Sequence, residues 1–287
     1  KGTLIAEPTG LGANIFSSAY GVVEDITDDR IIIKPDDEQP DEYEKIPEGT
    51  PLEMVKAAGG VGMGGAGFPT GIKLDTHFDG DGYILVNASE CEPGLRHNIQ
   101  QMEDDPEKVL KGVKYAMEIS GANKAIFAIK KKNRKAIEKL DELIKDEPNI
   151  SRHLLSDIYP AGEERAVVRS CLGIELEPSQ LPSAARAVVI NSETCSRIAE
   201  AIDERKPSFL KNLTVRGKLN GGNEAHVFMD VPVGTSVADL IERAGGIDGE
   251  YGEITMGGAF TGHATTLDAP ITKTTGAILV SMPFVDL

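Results

Sequence analysis

The stretch GGVGMGGAGFPTGIK, Gly59 to Lys73, is dense in glycine and ends in a single lysine. Read from Gly62 it contains Gly62-x-Gly64-x-x-Gly67, the spacing of dinucleotide-binding loops. Clustered glycines, here with Gly65 among them, let backbone N–H groups approach an anion or a flat ring with no Cβ in the way. Lys73 adds a compact charge suited to phosphate. The same glycines could equally form a plain turn between a helix and a strand. On these residues alone both readings stand.

The context excludes two nucleotide motifs. A dinucleotide fingerprint has its first glycine directly after a strand and its last at the start of a helix. Here a helical segment precedes the loop, Phe68-Pro69-Thr70 follows it, and the apolar strand YILVNAS comes afterwards. Pro69 also disfavours an immediate helical continuation through the residue before it. Lys73 is flanked by Ile72 and Leu74, so a Walker A loop is ruled out as well.

Other reactive side chains are scattered. Glu90 and Glu92 lie in NASECEPG after the first strand, and Pro93 fixes the turn that presents them. They could bond ligand hydroxyls or be solvated turn carboxylates. Glu163 and Glu164 open a helix, where the dipole favours carboxylates with or without a ligand. Cys91 sits between two glutamates, which oppose thiolate formation, and reads as a packing residue. Cys171 and Cys195 fall in helical segments and read as small core hydrophobes. The five histidines, His77, His97, His153, His226 and His263, share no ligand spacing, so no metal site is expected. The run Lys130 to Lys135, KKKNRK, reads as a solvated helix start.

Those groups must be held by a regular frame. Residues 1–34 read as short β pieces, GTLIAEP, SAYGVVEDI and RIIIKP, followed by the acidic linker PDDEQPDEYEKIPEG. TPLEMVKAAG carries a helix start, with Thr50 as cap, Pro51 next and Glu53 three residues on, and Gly59 as the stop. Beyond the loop, strands YILVNAS, KAIFAIK, SRHLLSDIY and RAVVINS alternate with helices DPEKVLKGVKYAMEISG, NRKAIEKLDELIK, GEERAVVRSCLG and ETCSRIAEAIDE. That alternation implies crossover connections and a largely parallel sheet. After KPSFLKN, the segments LTVRGKLNGGNEAHVFMDVPVG, SVADLIERAGG and GEITMGGAFTG read as hairpin, helix and strand of a small β-grasp-like unit.

With 287 residues, 40% hydrophobic and 26% charged, the chain suits two or three soluble units. Its net charge of −16 would repel a phosphate backbone, so nucleic acid is not an expected partner. No apolar run is long enough to cross a bilayer. Three separated cysteines build neither a disulfide framework nor a Cys-x-x-Cys site, which points to a reducing, cytoplasmic setting. The sequence opens on Lys1, so a leader or further domain can precede it.

Four ordered stretches, GGAGFPTGIK, NASECEPG, YPAGEER and NSETCSRI, together resemble the flavin-binding domain shared by two families. One is the NADH-binding flavoprotein subunit of respiratory complex I. The other is the C subunit of the Rnf electron-transport complex, whose relatives include the electron-transfer protein associated with proline reductase and a cobalamin-reductase-like protein. The likeness covers nearly the whole chain. It implies an α/β fold with a Rossmann-like parallel-sheet FMN domain over 48–209. An N-terminal partial barrel-sandwich β module with its linker would span 1–47, a soluble-ligand-binding (SLBB) β-grasp 210–264, and a return segment 265–287.

The resemblance further implies FMN held by Gly62, Gly64, Gly65 and Gly67, with Phe68 nearby and Lys73 reaching phosphate or ribityl oxygens. Asn87, Glu90 and Glu92 would line the flavin edge and a nicotinamide pocket, the two glutamates at the catalytic edge. Tyr159, Gly162, Glu163 and Glu164 would form the opposite wall, and Asn191 and Thr194 the phosphate end. The implied activity is hydride acceptance from NADH and electron delivery to a partner protein or complex, peripheral to a membrane at most. Other readings are a non-catalytic docking module and a flavin reductase with another donor or acceptor, such as a corrinoid. Ser89 and Cys91 stand where the complex I pattern has its first Asp and its Ser, a departure that bears on NADH more than on FMN. The Rnf pattern continues into cysteine-rich iron–sulfur motifs that these residues do not contain, so either 4Fe-4S clusters lie outside this segment or this branch passes its electrons elsewhere.

Overall fold

Short β-prone segments broken by Gly, Pro and Asp open the chain and form two small antiparallel pairs. β1 (Leu4–Ala6) pairs with β2 (Ile15–Phe16), and β3 (Gly21–Ile26) with β4 (Ile31–Pro35). The computed structural model describes residues 1–90, 92, 94–157, 163–257 and 262–284. After the acidic linker, α1 (Pro51–Ala57) begins as its residues dictate. The Thr50 hydroxyl accepts the Glu53 N–H, Pro51 fills the first turn, and the chain leaves through Gly59 at φ +70°.

The glycine loop leads into α2 (Thr70–Leu74), directly after Pro69. The helix start agrees with the restriction that Pro69 places on the residue before it. Pro69 keeps Phe68 out of helical backbone, but its own φ of −58° suits a cap, so the helical turn starts at the next residue.

Then come β5 (Tyr83–Asn87), α3 (His97–Asp104), α4 (Pro106–Ser120), β6 (Lys124–Lys130), α5 (Arg134–Ile144) and β7 (Ile150–Leu155). They are followed by α6 (Glu164–Leu172), β8 (Ala187–Asn191) and α7 (Ser192–Asp203). The four strands form one parallel sheet in the order β7-β6-β5-β8. Its strands are apolar on both faces because helices cover both. Ile84, Val86, Val188 and Ile190 face the core built with α4, α5 and α7, while Leu85, Val189 and Ala187 pack with Val167 and Val168 of α6. The α4–α7 crossing is tight enough that a Cβ on Gly112 would stand 1.7 Å from the Cys195 carbonyl oxygen. Cys195 is fully buried there, and Cys171 packs partly buried against the α6 side.

Helix α3 is absent from the sequence expectations. Its polar residues His97, Asn98, Gln101 and Glu103 are buried, so it shows no solvent face for a periodic pattern to reveal.

The strand order has one consequence for function. From β5 the chain moves outward through β6 to β7, then crosses back to place β8 on the other side of β5. The connections diverge between β5 and β8, and the crevice beyond their carboxyl ends is where open α/β sheets take ligands.

A second sheet follows, ordered β10-β9-β13-β11-β12, from β9 (Leu210–Gly217), β10 (His226–Pro232), β11 (Ile254–Met256), β12 (His263–Ala264) and β13 (Ala277–Val280). β13 returns between β9 and β11, parallel to β9. α8 (Val237–Arg243) lays Val237, Leu240 and Ile241 on this sheet. A buried ionic cluster ties α7 to β9 and β10. Glu193 receives Arg197 Nη2 at 3.0 Å and the Asn212 N–H at 2.9 Å on one oxygen, and Lys211 Nζ on the other. Burial alone would raise the Glu193 carboxyl, yet the charges of Lys211 and Arg197 outweigh it and hold the group below its ordinary range. Among the described residues no helix is long and apolar enough to cross a membrane.

Candidate functional site

A cavity of about 740 Å³ opens where the topology predicts a ligand. Asn87 ends β5, Asn191 ends β8, and the two are register partners across the sheet. Each folds its side chain onto the chain that follows. Asn87 Oδ1 accepts the Ser89 N–H at 3.1 Å, and Asn191 Oδ1 accepts the Glu193 N–H at 2.8 Å, capping α7. Both asparagines line the cavity, together with Gly64, Gly65, Glu90, Glu92 and Glu163.

The loop meets this site at close range. A Cβ on Gly64 would lie 2.4 Å from Asn191 Nδ2, whereas one on Gly65 would meet nothing within 4 Å. Gly64 is therefore required for packing, and Gly65 leaves backbone open toward the cavity. Thr194 stands behind the loop and braces it, accepting the Met63 N–H at 3.0 Å and donating to the Val61 carbonyl at 3.4 Å. Gly62 closes the loop by donating to the Phe68 carbonyl at 2.9 Å. Gly67, at φ +79°, packs against Thr274, whose methyl would be 2.9 Å from an added Cβ.

Several expected residues stand outside the lining. Phe68 is 43% exposed. Lys73 is not a cavity residue, because its ammonium pairs with the Glu164 carboxylate. No lysine or arginine is among the described lining residues, so backbone amides, amides of Asn, hydroxyls and imidazole N–H groups are the donors at hand. Tyr159 and Gly162 lie outside the described residues, as does Cys91.

Electrostatically the inner wall is unusual. Glu90 is 7% exposed and Glu92 4%. One oxygen of Glu90 accepts the Ile99 N–H at 3.0 Å, and the other has no hydrogen-bond partner among the described residues. Burial pushes the Glu90 carboxyl up to about 7, against the pull of the Ile99 and Asn98 amides. His97 Nδ1 lies 3.9 Å from the partnerless Glu90 oxygen and 2.9 Å from Thr214 Oγ1. Burial, reinforced by the charge of Lys211, drops the imidazole to about 3. The imidazole is therefore uncharged near neutral pH, so the close approach of Glu90 and His97 is not an ion pair.

Sequence reasoning missed His97 and the entire second wall. Met256, His263, Thr272, Thr274, Thr275 and Gly276, all from the C-terminal sheet and its loops, also line the cavity. His97 carries no local signal because its hydrogen-bond partner Thr214 lies 117 positions further along the chain. The threonines gave none because nothing local links residues 272–276 to a loop some two hundred positions earlier. Among the described residues no cluster of His, Cys, Asp and Glu is placed to hold a metal.

A parallel sheet with a cavity at its switch point, faced by a glycine loop, defines an α/β protein that binds a small molecule with anionic or planar parts. Residues 55–200 match the model of the Nuo51 FMN-binding domain, and the chain belongs to that family. It is 40% identical to the cobalamin reductase PduS of Salmonella typhimurium, over 79% of this chain and 49% of that protein. Identity is 33% to the C subunit of the proton-translocating ferredoxin:NAD(+) oxidoreductase complex of Clostridium ljungdahlii, over 97% of this chain and 65% of that one. The chain thus spans about half the length of the first of these relatives and two thirds of the second. Among solved structures, an NAD+-reducing [NiFe]-hydrogenase in its air-oxidized state shares the fold, with a TM-score of 0.65 and 21% identity over 81% of this chain and 46% of that one.

Proposed function

We propose that the cavity binds FMN and that the chain is an FMN-dependent electron-transfer protein, taking hydride from NADH and passing electrons to a partner protein. The observation that carries this reading is the convergence of Gly64, Gly65, Asn87, Asn191, Glu90 and Glu92 on one cavity at the β5/β8 switch point. The residues present fit such a ligand. The volume lies within the roughly 300–1,000 Å³ of small-molecule sites, Gly65 leaves its backbone uncovered, and a buried Glu90 oxygen has no partner among the described residues.

When bound, a flavin supplies the link between a two-electron donor and one-electron acceptors. The chain's own residues would bind and orient. Gly64 and Gly65 present backbone amides, and Asn87 and Asn191 fix the floor. Glu90, predominantly neutral below about pH 7, can there donate a proton to an acceptor on the ligand, and in either form can accept from a ligand hydroxyl. Glu92 and Glu163 provide carboxylates for hydroxyl groups. Lys73 would exchange Glu164 for a ligand phosphate oxygen, with Gly62, Gly67, Phe68 and Thr194 shaping the loop around it. Tyr159 and Gly162 belong to the opposite wall in this reading.

The names of the relatives support an oxidoreductase role: a cobalamin reductase and subunits of ferredoxin:NAD(+) oxidoreductase complexes. The resemblance to the cobalamin reductase favours a second reading of the acceptor, a corrinoid in place of an iron–sulfur protein. Strand order β9, β10, α8, β11 supports a β-grasp of the SLBB type over 210–264, completed by the return segment 265–287. Residues 1–47 would be part of a barrel-sandwich module.

The test is a titration of the purified chain with FMN, followed by fluorescence quenching and the bound-flavin absorption spectrum. Stoichiometric binding is expected; no binding refutes the assignment. Anaerobic addition of NADH to the loaded protein should then bleach the flavin band, and a band that persists removes NADH as the donor.

A further inference from the structure

We infer that His97 is a further ligand-binding residue, a fixed neutral Nε2–H donor aimed into the cavity and set in that tautomer by Thr214. This deepens the flavin reading and rests on it. His97 opens α3, beyond the carboxylate motif, and is 4% exposed.

The tautomer follows from counting protons. Thr214 is fully buried on β9, and its hydroxyl has one proton and two lone pairs. One lone pair accepts the Arg96 N–H at 3.0 Å. The proton needs an acceptor, because a buried hydroxyl without one is costly. Among the described residues the acceptor within reach is His97 Nδ1, at 2.9 Å. Nδ1 therefore receives, and the ring's own proton resides on Nε2.

The Cε1–Nε2 edge of the ring lies beside Gly276 at the cavity wall. His97 and Gly276 both line the cavity, and a Cβ built on Gly276 would lie 3.6 Å from Nε2. With glycine there, no side chain covers the nitrogen from that direction, and no hydrogen-bond partner for Nε2 occurs among the described residues. The charged and titratable groups around the ring are Glu90 from the preceding loop, Lys211 from β9 and Glu193 from α7. Lys211 is bound to Glu193, and the Glu90 carboxyl at 3.9 Å from Nδ1 lies beyond hydrogen-bond distance, so burial keeps the ring neutral. A neutral N–H of this kind suits an uncharged acceptor on a planar heterocycle, such as a ring carbonyl or a ring nitrogen, better than it suits a phosphate.

Two measurements test the inference. Nitrogen-15 NMR of the imidazoles in the free protein should show His97 with a protonated Nε2 and an unprotonated Nδ1, and the Nε2 signal should shift on adding FMN. In Thr214→Val the tautomer should become mixed. His97→Phe, which keeps a ring of similar size, should weaken FMN binding about five- to tenfold. A wild-type protein with its proton on Nδ1, or an unshifted Nε2 signal with FMN bound, overturns the inference. So does FMN affinity unchanged in a folded His97→Phe protein. Failure of the wild type to bind FMN overturns the flavin reading itself and the inference with it.

Discussion

Replacing Glu90 by glutamine should tilt the pH dependence of stability. Glu90 is buried, and its carboxyl is raised from 4.5 to about 7 by loss of water. A carboxyl raised in the folded state is ionised first in the unfolded chain, so the native state loses ground as pH climbs through that interval. Below 4.5 the cost is absent, and above about 7 it is complete. At about 1.4 kcal/mol per pH unit, full ionisation removes about 3 kcal/mol from the wild type. Glutamine has no proton to lose, and its oxygen can keep the Ile99 N–H bond. Its new amide stands where the partnerless oxygen was, which costs about 1–3 kcal/mol at every pH. That cost moves the curve without tilting it. Chemical denaturation of wild type and Glu90→Gln, followed by circular dichroism, should show their stability difference shifting toward the variant by about 2–3 kcal/mol between about pH 5 and about pH 8. Other titrating groups cancel in the difference. A difference that stays flat across that range would refute the claim that this carboxyl is desolvated.

The two cavity glycines should separate packing from binding. Gly64→Ala drives a methyl into Asn191 and should lower both melting temperature and FMN affinity, while Gly65→Ala, with open space around its Cβ, should keep the melting temperature and weaken FMN alone; paired thermal scans and flavin titrations decide. Lys211→Met leaves Glu193 with Arg197 as its remaining cationic partner inside the α7–β9 junction, and should cost about 3–5 kcal/mol in denaturant unfolding. Lys73→Ala breaks a pair with the half-exposed Glu164, so stability should fall by less than about 1 kcal/mol. If Lys73 serves phosphate, FMN affinity should drop in the same variant, and an unchanged titration would exclude that role.

The chain's own residues determined most of the local frame. Thr50-Pro51 and Gly59 bound α1, Gly121 and Gly173 stop α4 and α6 in left-handed backbone, and four apolar runs became the four parallel strands. These signals are readable because caps, stops and burial on both faces act through neighbours in sequence. The order of motifs along the chain likewise pointed to a flavin-binding family, to which the chain belongs. Tertiary structure decided what the linear pattern could not carry. It paired Asn87 with Asn191, turned Thr194 behind the loop instead of into the cavity, and gave Lys73 to Glu164. It also buried the polar helix α3, brought His97 against Thr214, and lined the cavity with threonines from the far end of the chain. Hydrogen-bond partners and desolvation depend on distances in space, and residues from 91 to more than a hundred positions apart set them here.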